Sequence, residues 1–311
     1  MARPQTEIAV VVPLYNHKRY VTAALQSLVG QTAAAAEIVV IDDGSDDNGF
    51  ARAEECLRDV PDCRLLRQAN AGAHAAINRA VAMTTAPYIA VLNSDDLFVP
   101  DKLAWCQEII AALPGVSLIA GRVGLIGARG ERLTRGPSAE WLARAEAFAE
   151  RTGLEQLALL HENFIATTSN MVFSRTLWQY VGGFSALRYC HDLDFLMRAF
   201  DHGRVARDKA RLHVLYRVHA GNTIEEDRAK LRTELAAVIA ASLCQSGDRL
   251  LPPGGPAFAA CIDMLRANRL AELVAYLCAM FPRFADRDDF LEFATAGPGS
   301  GDFTAFLRQP R

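Results

Sequence analysis

The seven cysteines of this 311-residue chain are odd in number and scattered, with no CxxC pair, so neither a disulfide framework nor a structural zinc site is expected. Reduced thiols in a cytoplasmic setting follow from that. Long apolar runs are missing too: none reaches the roughly eighteen residues of a membrane span. Met1 to Glu7 lacks the basic-then-apolar pattern of a secretory leader. Charge of one sign is scarce. The 33 Lys and Arg against 36 Asp and Glu leave a formal net charge of −3, which argues against nucleic acid as a partner. No GxSxG, Walker A loop, HExxH or GxGxxG occurs. With 51% hydrophobic residues, the chain is long enough for one large domain, or for one domain and an extension.

What is there is alternation. β-branched or apolar runs at 8–12, 37–41 and 88–92, with a short one at 64–66, are separated by helical patterns at 21–29, 50–57, 71–83 and 100–113. Such alternation predicts an α/β fold, a parallel sheet covered by helices. Regularity weakens between 116 and 185. Strands are expected at 116–120, 122–126, 170–173 and 213–217, and helices at 141–150, 175–181 and 192–200. After Asn222 the character becomes helical, with patterns at 225–244, 258–281 (one helix or two) and 289–294, and a Pro-Gly linker at 252–256. The division expected is a domain of residues 1–223 followed by an α-helical extension, 224–311.

Two of the strands end in paired acids: Asp42-Asp43-Gly44-Ser45 and Asn93-Ser94-Asp95-Asp96. In an open α/β sheet the C-terminal strand edge is where ligands bind. Side-by-side carboxylates on a buried strand end repel unless a cation offsets them, and oxygen ligands suit a hard divalent ion. The first pair could instead accept from a ring N–H of a base, and both also suit plain helix caps. Asn70-Ala71-Gly72 opens a helix that carries Asn78; small residues there let a diphosphate approach the backbone, or let the helix pack close to the sheet. His191-Asp192-Leu193-Asp194 opens another helix, where a carboxylate can serve as a general base, cap the helix, or pair with Arg198. Tyr216-Arg217-Val218-His219 ends a strand; a neutral imidazole can complete a metal site and an arginine can reach a phosphate.

Taken in order, Pro13-Leu14-Tyr15-Asn16, Ser27-Leu28 with Gln31, the two acidic strand ends, Asn70-x-Gly72 with Asn78, Gly182-Gly183-Phe184, His191-Asp192-Leu193-Asp194 and Tyr216-Arg217-Val218-His219 resemble the family 2 glycosyltransferases over residues 7 to 223. The resemblance implies the GT-A fold, a Rossmann-like, mainly parallel sheet flanked by helices. It implies inverting transfer of a sugar from a nucleotide diphosphate donor to an acceptor hydroxyl, with Mn2+ or Mg2+. Pro13 and Tyr15 would line the base and ribose, and Asp43 with Asp42 would hold the base, which favours UDP or dTDP. Asp95 would be the principal metal ligand, with Asp96 and His219 beside it, and Asp192 the catalytic base. Asn70, Gly72, Asn78, Asn93, Ser94 and Arg217 would complete the nucleotide-sugar site. The usual setting of the family is cell-surface polysaccharide or lipopolysaccharide assembly on a saccharide or lipid-linked acceptor, in the cytoplasm or peripherally at the inner face of the membrane. The C-terminal helices are then open to acceptor binding, to homodimer formation or to membrane contact. Three positions depart from the pattern: Asn93 replaces an acid, Ile77 an arginine and His191 a glutamate, so one metal charge and one phosphate or base contact are expected to be missing. The rival readings are a non-catalytic nucleotide-sugar-binding protein and a sugar-1-phosphate nucleotidyltransferase; the latter lacks its glycine-rich basic loop here, because Pro13-Leu14-Tyr15-Asn16-His17 contains no glycine.

Overall fold

The computed structural model describes residues 3–223, 226–251 and 256–295. At its centre is β1 (Ile8–Leu14), buried along its whole length. A strand covered on both faces needs no alternation, and a continuous apolar run is what a parallel sheet asks for. β1 pairs in parallel with β2 (Glu37–Asp42) and β4 (Tyr88–Val91), and β2 pairs in parallel with β3 (Cys63–Arg67). β7 (Val172–Ser174) then runs antiparallel to both β4 and β6 (Val116–Ile126). β8 (Arg204–Arg217) is parallel to β6, and β5 (Leu97–Phe98) lies antiparallel on β8. The order is β3-β2-β1-β4-β7-β6-β8-β5. Because the direction reverses twice between β4 and β8, by way of β7, strands β1, β2, β4 and β8 all point the same way. The residues that follow them therefore belong to one edge of the sheet.

Helices α1 (Val21–Val29), α2 (Gly49–Leu57), α3 (Ala73–Ala82) and α4 (Lys102–Ala112) form the crossovers. α1 buries Val21, Ala24, Leu25 and Leu28, the stripe that its sequence spacing marks. α3 buries Ala76, Ile77, Ala80 and Val81. Ile77 is thus a core residue, fully buried.

Two strands differ from expectation. Residues 116–120 and 122–126 form one strand, β6, whose register against β8 shifts around Gly121. A Cβ on Gly121 would fall 2.2 Å from the His213 ring, so the close approach of that ring requires glycine. β8 extends over 14 residues where 213–217 was expected. Its first eight residues carry Arg204, Arg207, Lys209 and Arg211, and these charges hide the strand pattern.

The chain divides into two compact units. The sheet lies in the first, which runs to Trp141 and takes in Ile165–Phe184 and His202–His219. The second holds Leu142–Phe164, Ser185–Asp201 and the described residues from Ala220 onward. This division does not coincide with a cut after residue 223, because two earlier segments join the C-terminal helices. The remaining helices are α5 (Pro137–Thr152), α6 (Glu155–His161), α7 (Arg175–Val181), α8 (His191–His202), α9 (Arg228–Leu250), α10 (Pro256–Ala267), α11 (Ala271–Met280) and α12 (Arg287–Thr295). α6 was not expected from the sequence. The helical pattern at 258–281 resolves into two helices, α10 and α11, with Arg269 at φ 53° between them. The linker expected at 252–256 lies, as far as residue 255, outside the described residues. Among the described residues no helix is long and apolar enough to cross a membrane.

Candidate active site

Three side chains from three strand ends meet at the sheet edge. His17 follows β1, Asp95 follows β4 and His219 follows β8. Their ligand atoms all lie within 4.8 Å of one another. His219 Nε2 is 3.0 Å and His17 Nε2 is 3.9 Å from Asp95 Oδ2. Burial opposes ionisation of Asp95, but the hydrogen bond from His219 and the proximity of His17 outweigh it and hold the carboxyl below its ordinary value. Burial lowers the pKa of His17 against the pull of Asp95, which favours its neutral, ligating form. Two imidazole nitrogens and one carboxylate oxygen this close are a donor set that suits a divalent transition metal.

Asp96, expected as a ligand next to Asp95, is not part of this group. It is fully buried; Oδ2 accepts from Thr167 Oγ1 (2.7 Å) and Ser169 Oγ (2.6 Å), and Oδ1 accepts from the Arg217 backbone N–H (2.9 Å). Burial, and then the Asp95 charge, push its pKa up. Asn93 belongs to the same brace. Its Nδ2 donates to Thr167 Oγ1 (3.0 Å), and its N–H donates to Ser169 Oγ (2.9 Å). Ser94 Oγ lies 2.8 Å from His17 Nδ1. Arg217, expected at a phosphate, is 4% exposed; it donates to the backbone oxygens of Asp95 (2.7 Å) and Gly127 (3.1 Å) and stacks 4.9 Å over the Tyr20 ring. Beneath the site Lys102 is fully buried, with Nζ donating to the Ser169 carbonyl, and burial lowers its pKa to about 8.

Sequence reasoning missed His17, Thr167, Ser169 and Lys102. A signal for the middle two existed: Thr167, Thr168, Ser169 and Asn170 form a polar run inside an otherwise apolar region, and all four are buried.

The second acidic strand end is built differently. Asp42 Oδ2 accepts from Arg67 Nε (2.6 Å), and its Oδ1 accepts from the Ser45 hydroxyl. Asp43 Oδ1 accepts from Gln68 Nε2 (2.7 Å) and the Ala71 N–H (2.9 Å), and Oδ2 accepts from the Gly72 N–H (2.8 Å). Asp43 therefore fixes the loop that opens α3, where Gly72 sits at φ 92°, a left-handed conformation that glycine alone adopts readily. Asn70 is exposed there. Asn78 is engaged elsewhere. Its Oδ1 accepts from the Phe184 N–H (2.9 Å) and Trp178 Nε1 (3.1 Å), and its Nδ2 donates to the Phe184 carbonyl (2.8 Å). It pins the Gly182-Gly183-Phe184 turn. Pro13 is buried within β1, while Tyr15, just past the strand, is 39% exposed.

In the second unit, Asp192 stands in the first turn of α8. Its Oδ1 accepts from the Leu193 N–H (2.7 Å) and its Oδ2 from Asn163 Nδ2 (3.2 Å). Burial outweighs both bonds and raises its pKa to about 6, a value suited to a base working near neutrality. Burial holds neighbouring His191 down at about 4, so its imidazole is neutral. Asp194 is different. It is fully buried between Arg198 Nε (3.0 Å) and Arg287 Nε (2.8 Å) and accepts from Ser185 Oγ (2.8 Å), which makes it an anchor. The start of α8 is held by Glu234 of α9, whose carboxylate accepts from the N–H groups of Arg188 (2.8 Å), Tyr189 (2.7 Å) and Cys190 (2.9 Å).

The family model described as "Glycosyl transferase family 2" matches residues 9–181, more than half of the chain. The chain belongs to glycosyl transferase family 2. The family 2 match covers Asp42, Asp43, Asn93 and Asp95 and ends before Asp192 and His219. An uncharacterized glycosyltransferase of Escherichia coli, YibD, is 39% identical over 100 residues, which is 32% of this chain and 29% of that protein. The chain thus spans about a third or less of the length of the curated relatives it matches. Among solved structures, S. aureus TarS 1-349 in complex with UDP-GlcNAc superposes with TM-score 0.56 at 16% identity, covering 94% of this chain and 92% of that one. The mannosyltransferase PcManGT of Pyrobaculum calidifontis, in complex with GDP-Man and Mn2+, gives TM-score 0.55 at 17% identity, covering 99% of this chain and 82% of that one. The mixed sheet flanked by helices is thereby the GT-A fold of this family 2 chain.

Proposed function

We propose that this chain transfers a sugar, with inversion, from a nucleoside diphosphate sugar to an acceptor hydroxyl. The observation that carries the reading is the His17, Asp95 and His219 group at the sheet edge of a family 2 chain. A divalent cation held there supplies Lewis-acid stabilisation of the charge that builds on a leaving diphosphate. Asp95 and His219 would hold it, and Arg217 fixes the Asp95 backbone through its carbonyl. Asp43 sets the Gly72 turn that opens α3, whose small residues would let a diphosphate approach the helix N-terminus. Asp43 Oδ2 has a single partner among the described residues, so it keeps acceptor capacity for the N3–H of uracil or thymine, which favours a UDP- or dTDP-linked donor.

Asp192 takes the proton of the acceptor hydroxyl as that oxygen bonds to the anomeric carbon. The bond from that carbon to the diphosphate breaks in the same displacement, the electron pair leaves with the diphosphate, and one inversion results. We place the catalytic residues within 1–223, with 224–311 as the helical extension. The setting proposed is cell-surface polysaccharide or lipopolysaccharide assembly on a saccharide or lipid-linked acceptor.

The test is release of nucleoside diphosphate from UDP-, dTDP- and GDP-sugars in the presence of Mn2+ and a panel of saccharide acceptors. Acceptor-stimulated release that disappears in Asp192→Asn supports the reading. Nucleotide binding with no turnover on any acceptor favours the non-catalytic alternative.

A further inference from the structure

We propose that His17 is a third protein ligand, so that this chain holds a cation through two imidazoles and one carboxylate before any nucleotide arrives and takes Mn2+ in preference to Mg2+. This rests on reading the sheet edge as the cation-bearing donor site.

His17 is firmly placed, because the backbone on both sides of it is pinned. The Asn16 N–H donates to Ser45 Oγ (3.0 Å), and Asn16 Oδ1 accepts from the Asp46 N–H (3.0 Å). The Lys18 N–H donates to Asp47 Oδ2 (2.9 Å), and the His17 carbonyl accepts from the N–H groups of Tyr20 and Val21 (both 2.9 Å). The ring is oriented as well. Ser94 Oγ, on a residue 1% exposed, bonds Nδ1 at 2.8 Å and leaves Nε2 directed toward Asp95. A hydrogen bond on one ring nitrogen orients the ring and leaves the other nitrogen to face a metal. Tyr20 packs against both imidazoles, 6.0 Å from His17 and 4.7 Å from His219, and walls one side of the group.

The spacing of the donor atoms fits a cation. For metal–donor distances near 2.1 Å, neighbouring donors sit about 3.0–3.4 Å apart and opposite donors about 4.2 Å. The observed 3.0 Å and 3.9 Å separations from Asp95 Oδ2, with all three atoms inside 4.8 Å, need only small side-chain adjustments to reach this. The donor chemistry then selects among cations. Two neutral imidazoles and one carboxylate leave a bound divalent ion with one net positive charge, which an anionic diphosphate would meet. Mg2+ prefers oxygen donors and dehydrates reluctantly, whereas the imidazole-accepting transition metals tolerate this mixed set.

The experiment is a calorimetric titration of Mn2+ and of Mg2+ into the full nucleotide-free chain, with pulsed EPR of the Mn2+ form to count coordinated imidazole nitrogens. The expected result is one Mn2+ bound roughly tenfold or more tighter than Mg2+, with two imidazoles. His17→Ala should lose about tenfold or more in Mn2+ affinity and retain one imidazole. Ser94→Ala should shift affinity in the same direction by less, and unchanged melting curves would show that both variants fold. A single imidazole in the wild type, or unaltered Mn2+ affinity in His17→Ala while Asp95→Asn abolishes binding, would overturn the role of His17 and leave the cation site standing. No Mn2+ at Asp95 even with UDP present would remove the donor-site reading, and this proposal with it.

Discussion

His219 Nε2 lies 3.0 Å from Asp95 Oδ2 although 124 residues separate them in the chain. The sheet makes this meeting: β4 and β8 point the same way, and Asp95 and His219 follow their C-terminal ends. A site assembled from strand ends inherits the rigidity of the sheet, which is what a cation and a diphosphate need for placement.

Asp95→Ala removes the carboxylate on which both imidazoles converge. Loss of a partner outside the coordination sphere typically costs about 10–100-fold in metal affinity, so loss of this ligand should cost at least about 100-fold. Calorimetry should show that Mn2+-linked nucleotide binding is lost while the thermal midpoint changes little.

Under the proposed mechanism Asp192→Asn should lower kcat by about 10²–10⁴-fold and leave nucleotide affinity unchanged, because in that role Asp192 touches the acceptor proton and not the nucleotide. The pH dependence has a defined sign. Burial raises the Asp192 pKa to about 6, so the ionised form that the proposed role requires is lost as pH falls through that value. kcat/KM should fall below about pH 6 and level off above it; a profile flat from about pH 5 to 8 would remove Asp192 from the role.

Asp194→Asn should destabilise the second unit by about 3–5 kcal/mol, because it removes the buried charge that pairs with Arg198 and Arg287. Burial opposes ionisation of Asp194, but Arg287 and Arg198 outweigh it and hold its pKa below the ordinary 3.8. A carboxyl held low stabilises the fold above its unfolded-state value, and that contribution is lost as pH falls through the folded-state value. Urea unfolding of the wild type should therefore weaken as pH drops below about 4, and the variant should lose less over the same window.

Glu234→Ala leaves three N–H groups at the start of α8 without their acceptor, at a cost of about 1–3 kcal/mol. If α9 serves to set the base helix, kcat should fall while nucleotide affinity holds, and Glu234→Gln should recover part of the loss through its remaining acceptor oxygen. A matched fall in stability with unchanged kcat would make the contact purely structural.

The parts of this molecule that could be read from sequence are those where one physical demand dominates. β1, β2 and β4 declared themselves because strands buried on both faces must be apolar throughout, and their acids mark where the sheet ends. The place of Asp95 just beyond a strand end was readable for the same reason. β8 was shortened because Arg204, Arg207, Lys209 and Arg211 interrupt its N-terminal part and break the pattern. Asp96 was misplaced because adjacency in sequence says nothing of direction: Asp95 faces the imidazoles, and Asp96 is held by Thr167 and Ser169 from a segment more than seventy residues on. His17 was invisible because a lone histidine in a loop gains meaning only from what stands opposite it. Asn78 and Arg217 show the converse, polar residues at motif positions whose hydrogen bonds go to the protein's own backbone.

The most direct test of the donor site is a titration of UDP, dTDP and GDP into the protein, with and without Mn2+, in the wild type and in Asp95→Ala. Tight binding of UDP or dTDP that requires Mn2+ and vanishes in the variant is the predicted result. Binding that is indifferent to Mn2+ and to Asp95, or no binding of any nucleotide by folded protein, would contradict it.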